Sequence, residues 1–95
     1  MFTISVKETY QRTIMSPVRL NFDLSRYVST IEEVHDNILD IEQELKSMDV
    51  IQAKTIKARN VLERRVEYKR PGKTGTLTRT IMVTRYNPPR QAELI

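Results

Sequence analysis

The sequence predicts an α+β fold: a small antiparallel sheet, made of two N-terminal strands and a C-terminal hairpin, around a long central helix or helical hairpin with a heptad seam. Three observations carry this expectation. Apolar and polar residues alternate near both ends of the chain, as they do in half-buried strands. Across the middle, apolar residues recur at heptad spacing. The Gly and Pro residues are Pro17, Pro71, Gly72, Gly75, Pro88 and Pro89, so the window from Val18 to Arg70 holds no conventional breaker.

Taken in order, Phe2, Ile4 and Val6 alternate with Thr3, Ser5 and Lys7, and Val18, Leu20 and Phe22 alternate with Arg19, Asn21 and Asp23. Pro17 heads the second of these strands, where a missing backbone donor is tolerated. The positions Leu24, Tyr27, Ile31, Val34, Ile38, Ile41, Leu45 and Met48 are then separated by steps of 3 and 4 in turn. So narrow a stripe suits a helix that packs mainly on one other helix. Ser29 followed by Glu32 reads as a capping box, with Glu33 adding acidic charge to the first turn.

Beyond Met48 the phase slips by one step, and Ile51, Thr55, Ala58 and Leu62 continue the seam. Two arrangements satisfy this. Either Asp49 caps a second helix and the two form an antiparallel hairpin, or one helix runs from about Ser29 to about Arg65. Glu42 and Glu44 flank the first stretch and Lys54, Lys57 and Arg59 the second, which favours pairing them within or between chains. The lack of Gly near Ser47 tips the choice toward the continuous helix. Such a helix would be roughly 55 Å long, more than a compact domain of this size spans, and would require an oligomer. The seam formed by Ile31, Val34, Ile38, Ile41, Leu45 and Met48 is therefore the candidate surface for self-association or for a partner.

Val66 and Tyr68 alternate with Glu67 and Lys69, Pro71 and Gly72 supply the centre of a turn, and Thr76 to Tyr86 reads as a long strand. Its Leu77, Ile81 and Val83 face one side, and Thr78, Thr80, Met82 and Thr84 the other. Asn87, Pro88 and Pro89 end it. The 95 residues make one domain, with strands over 1–23, a helical region over 29–65, a basic hairpin over 65–87 and a tail over 88–95.

Hydrophobic residues at 39% and charged residues at 29% fit a globular chain and not a disordered one. The absence of Cys excludes disulfides, thiolate nucleophiles and sulfur-ligated metals, and points to a cytoplasmic setting. No apolar run is long enough to span a membrane, and Met1 to Lys7 lacks the pattern of a signal peptide. His35 is the single histidine, too little for a zinc site. The carboxylates Glu32, Glu33, Asp36, Asp40, Glu42 and Glu44 fall mostly off the seam, on a solvated face rather than in a dry catalytic cleft. Gly72-Lys73-Thr74 matches the end of a phosphate-binding P-loop, but Glu67 stands where the pattern needs its first Gly, and a strand follows instead of a helix. Neither an enzyme nor a cofactor is expected.

Charge gives the functional lead. Residues 1–49 hold 5 basic and 9 acidic side chains, whereas residues 50–95 hold 11 and 3, within a net charge of +4. Arg64, Arg65, Lys69, Arg70, Lys73, Arg79 and Arg85 lie on or near the predicted hairpin, together with Tyr68 and Tyr86. A two-stranded ribbon can enter a DNA groove, and aromatic side chains among cations can stack on bases. Lys73, Arg70 and the amides of Gly72 and Gly75 also fit a small basic nest at the turn. The competing account has the same arginines covering a sheet edge or pairing with the acidic helix. The sequence thus predicts a non-enzymatic, self-associating basic protein that binds an anionic partner, nucleic acid foremost, through its C-terminal hairpin. The alternative is an inhibitor, adaptor or assembly factor that meets another protein, an acidic one included, through the helical seam or a strand edge.

Overall fold

Alternation decides the structure near both ends of the chain and reaches further inward than the sequence predicts. In a computed structural model that describes residues 1–85, the elements are β1 (Phe2–Gln11), β2 (Arg19–Val28), α1 (Ile31–Glu42) with a 3-10 extension (Gln43–Ser47), β3 (Asp49–Ala58), β4 (Val61–Lys69) and β5 (Thr76–Arg85). The strands form one antiparallel sheet in the order β2-β1-β5-β4-β3. After the β1–β2 hairpin the chain crosses one face of the sheet as α1, and the β3-β4-β5 meander then returns β5 to lie beside β1. Hence the strands most distant in sequence are the central pair, with Ile4 opposite Val83, Val6 opposite Ile81 and Glu8 opposite Arg79.

Period-2 alternation places Ile4, Val6, Ile81 and Val83 on the face that α1 covers, where they pack with Val34. Phe2, Phe22, Val28, Ile38, Ile41 and Leu62 surround that cluster. A second cluster of Leu45, Val66, Tyr68 and Leu77 lies under the 3-10 extension, with Tyr10 and Met48 at its margin. The opposite face of the sheet carries Thr3, Ser5, Lys7, Thr78, Thr80, Met82 and Thr84 and has no covering layer among the described residues. This is the division of β5 that its sequence predicts.

The central prediction is corrected. There is neither a long central helix nor a helical hairpin among the described residues: α1 and its extension together cover residues 31–47, and residues 49–65 are β3, a two-residue turn and the first half of β4. Val50, Ile51, Thr55, Ile56 and Val61 are β-branched, which suits a pleated strand better than a helix. The turn between the strands needs no Gly, because Asn60 takes a positive φ of 141°. Asp49 opens a strand instead of capping a helix. With residues 49–65 in the sheet there is no second helix for a coiled coil, and the heptad spacing has another cause. Leu24 and Tyr27 belong to β2, and the stripe on α1 is used against the chain's own sheet, with Val34 buried at its centre.

Ile38 and Ile41 flank that contact, Leu45 and Met48 enter the second cluster, and Ile31 is half exposed at the start of the helix. The cap also lies one residue beyond its predicted position. Thr30 is the N-cap and its side chain accepts from the Glu33 amide at 3.3 Å, while the Ser29 amide donates to the Glu33 carboxylate at 3.3 Å. Among the described residues no helix is long and apolar enough to cross a membrane. Tyr86, the predicted strand end at Asn87, Pro88 and Pro89, and the tail lie outside the described residues.

Candidate anion-binding site

Two of the predicted nucleic-acid contacts are inside the protein. Arg79 is 4% exposed and Glu8 1% exposed, opposite each other on the central strands and pointing toward α1. The Arg79 guanidinium donates to Glu8 Oε1 through Nη2 at 2.9 Å and through Nε at 3.2 Å, and Nη1 donates to the carbonyl of Ile41 at 2.7 Å. Nη2 also pairs with Glu44, and the Tyr68 hydroxyl donates to Glu8. Asn21 Nδ2 donates to the other oxygen of the Glu8 carboxylate. The arginine carbon lies 5.4 Å from the Phe22 ring centroid and 5.8 Å from that of Tyr68, within cation–π range. Every buried side-chain polar atom described has a partner. This network ties β1, β4, β5, α1 and the 3-10 extension together, and it leaves Arg79 and Tyr68 no surface to offer.

Burial opposes the Arg79 charge, but the hydrogen bonds to Glu44 and Glu8 outweigh it and hold its pKa above the ordinary arginine value. Burial, followed by the hydrogen bond to Glu8, raises the Tyr68 phenol to about 12. The folded state therefore keeps a proton that the unfolded chain releases near pH 10, and the associated stability is lost as pH rises from about 10 to about 12. The loss should amount to about 2–3 kcal/mol. Urea titrations between neutral and strongly alkaline pH should show a steeper decline for the wild type than for Tyr68→Phe. Coincident declines would show that the phenol is not coupled to folding.

The remaining hairpin residues divide. Arg64 faces α1 and pairs with Glu42 at 2.6 Å, so for Arg64 and Arg79 the pairing with the acidic helix is what the structure displays. Arg65 lies on the uncovered face, 3.1 Å from Glu63. Arg85 is at the opposite end of the sheet, level with Phe2. Lys69, Arg70 and Lys73 stay together at the β4–β5 turn, all three exposed. Pro71 and Gly72 form that turn as predicted, with Gly72 at φ 71° and the Lys73 amide bonded to the Arg70 carbonyl at 3.1 Å.

Tertiary structure adds two arginines from the first half of the chain. The β1–β2 and β4–β5 turns lie side by side, since Gln11 pairs with Thr76 and Tyr10 with both Leu77 and Arg19. On the α1 side of this end, Tyr10, Arg19, Leu20, Asn21, Arg70, Lys73, Thr74 and Leu77 line a cleft of about 450 Å³. It brings together three cations and no carboxylate. Gly75 makes the close approach of the two turns possible: a Cβ there would lie 2.5 Å from the Tyr10 ring, whose hydroxyl donates to the Thr74 carbonyl at 3.3 Å. On the uncovered side, a second cleft of about 380 Å³ is lined in part by Arg12, Lys69 and Glu67. Five cations thus ring one end of the sheet. Arg12 and Arg19 escaped sequence reasoning because they lie roughly 50 residues from the turn they join, and only strand pairing makes them neighbours. For Glu8 the sequence does carry a signal: it continues the inward positions Phe2, Ile4 and Val6, as Arg79 interrupts the inward positions of β5.

Together these features define a class, a five-stranded antiparallel sheet covered on one face by a short helix and carrying a cationic end built from two turns. Comparison with protein-family models, curated proteins and solved structures finds no match.

Proposed function

We propose that this chain is a non-enzymatic protein that binds nucleic acid through the cationic end of its sheet. One observation carries the reading: Arg19, Arg70 and Lys73 line one cleft while Arg12 and Lys69 line another on the reverse face, with Glu67 the one acidic side chain in either lining. A single small anion needs one such cluster. A track of cations around an edge suits a polyanion, whose phosphates are spaced along its length. The buried Arg79 network supports the reading indirectly, because it fixes β1 against β5 and so sets the two turns beside each other. A cytoplasmic location belongs to the same proposal, on the absence of cysteine.

Binding of a short fluorescent duplex should weaken steeply with salt, with a slope of roughly −3 to −5 in log K against log salt if three to five phosphates are neutralised. A flat salt response, or no binding at low salt, would remove the reading. The protein-binding alternative draws on a different feature. All ten residues of β3 are exposed and both edge strands lack an outer neighbour among the described residues, so either edge offers a row of unpaired backbone groups to an extended partner.

A further inference from the structure

The loop that joins β1 to β2 ends in two apolar side chains that nothing in the described chain covers. Ile14 and Met15 are each 91% exposed, and Val18 and Leu20 behind them are 61% and 59% exposed. Single exposed apolar residues are common, but an adjacent pair at the tip of a projecting turn carries a hydration cost that a partner would remove. The backbone beneath them is tied down. Gln11 Nε2 donates to the Ser16 carbonyl at 2.9 Å and to the Ile14 carbonyl at 3.4 Å, and the Ser16 amide donates to the Thr13 carbonyl at 3.0 Å. The Thr13 and Ser16 hydroxyls are 2.7 Å apart. The loop therefore closes on its own hydrogen bonds and leaves its apolar pair in solvent. Ordering it on binding costs little, because the order is already present.

The tip is also bracketed by charge. Arg12 precedes it and belongs to one cleft, while Arg19 follows it and belongs to the other. Ile and Met are among the side chains that proteins insert between base steps from the minor groove, with flanking cations on the adjoining phosphates. We infer that Ile14 and Met15 form an apolar wedge that enters the base stack of double-stranded DNA from the minor groove and bends it, with Arg12 and Arg19 on the phosphates to either side. This rests on the nucleic-acid reading above and narrows it to a stacked duplex, since a wedge needs a stack to open. A lipid surface asks only for apolar depth and diffuse charge. Here Arg19, Arg70 and Lys73 are gathered with Asn21 and Thr74 in one cleft, and Arg12 lines the other with Lys69, an arrangement suited to the discrete phosphates and sugars of a duplex.

The test measures affinity and bend angle together on a duplex of about 30 base pairs labelled at both ends for energy transfer. Wild-type protein should bend it by roughly 20–90°. Ile14→Ser combined with Met15→Ser should still bind, with affinity lowered roughly tenfold or less, and should leave the duplex straight. Ile14→Val combined with Met15→Leu should keep the bend. Circular dichroism should be unchanged in both, because neither side chain packs on the core. Binding without bending by the wild type, or equal bending by the serine variant, overturns the wedge and leaves the nucleic-acid reading standing. Failure of the wild type to bind any duplex overturns both. Binding to vesicles of mixed phosphatidylserine and phosphatidylcholine that the serine variant loses, with no duplex binding, overturns the wedge in favour of a lipid surface.

Discussion

Arg79→Met is expected to lower stability by about 3–5 kcal/mol, the cost typical of breaking a buried ion pair from one side. The substitution keeps the aliphatic length but removes both guanidinium hydrogen bonds to Glu8 and the donor to the Ile41 carbonyl. Glu8 would then be left 1% exposed with a charge that only Tyr68 and Asn21 address. Against a total stability of about 5–15 kcal/mol for a domain of ordinary size, such a loss leaves little margin. Glu8→Gln should cost less, since the amide oxygen still accepts from Tyr68 or Arg79.

The double variant Glu8→Leu, Arg79→Met is the informative partner. Replacing a buried pair by apolar side chains is often neutral, so it should recover most of what Arg79→Met loses. Urea denaturation of the wild type, Glu8→Leu, Arg79→Met and the double variant closes the cycle and gives the coupling energy directly. A cost below about 1 kcal/mol for Arg79→Met would mean that the pair is solvated, contrary to the packing of the 3-10 extension over it.

Reversing the charges of Arg19, Arg70 and Lys73 together should reduce affinity for a mixed-sequence duplex at low salt by roughly 10²–10³-fold. All three are exposed and contribute nothing to either apolar cluster, so the fold should survive. The salt slope should fall by about 3 in magnitude as three phosphate contacts disappear. The matched control is the reversal of Lys54, Lys57 and Arg59, which changes net charge equally but lies on β3 and at the β3–β4 turn. If the control loses as much as the triple variant, binding follows net charge alone and the end of the sheet is not the site. Arg79 has no place in such an experiment: its reversal would put a third carboxylate beside Glu8 and Glu44, and loss of binding would report unfolding.

Much of this was written locally. The alternation of Phe2, Ile4 and Val6, the opposed faces of β5, the turn at Pro71-Gly72 and the onset of a helix near Ser29 each depend on residues within a few positions of one another, and local pattern suffices to read them. The heptad seam failed because the same spacings arise when a short helix lies on a sheet. The two halves of the seam belong to structures of different type, and with no Gly or Pro near Asp49 the change is marked locally only by the phase slip after Met48 and by the β-branched Val50, Ile51, Thr55 and Ile56. Whether Val50 to Val61 pairs as strands depends on β4 offering its backbone, and β4 is held by β5, which is held by β1. That chain of pairing is non-local from end to end.

The site shows the same division. Composition and charge asymmetry located the cationic half, and Lys69, Arg70 and Lys73 remain at the surface where the turn signals put them. The sequence by itself determined the inward and outward faces of the end strands, the start of the helix and the basic turn, because side-chain period and turn chemistry act over a few residues. Only the tertiary structure decided that Arg79 and Tyr68 are core, that Arg64 serves Glu42, and that Arg12 and Arg19 complete the cationic end. Those outcomes depend on which strands become neighbours, and that is fixed by burying one shared apolar face across strands up to about 80 residues apart.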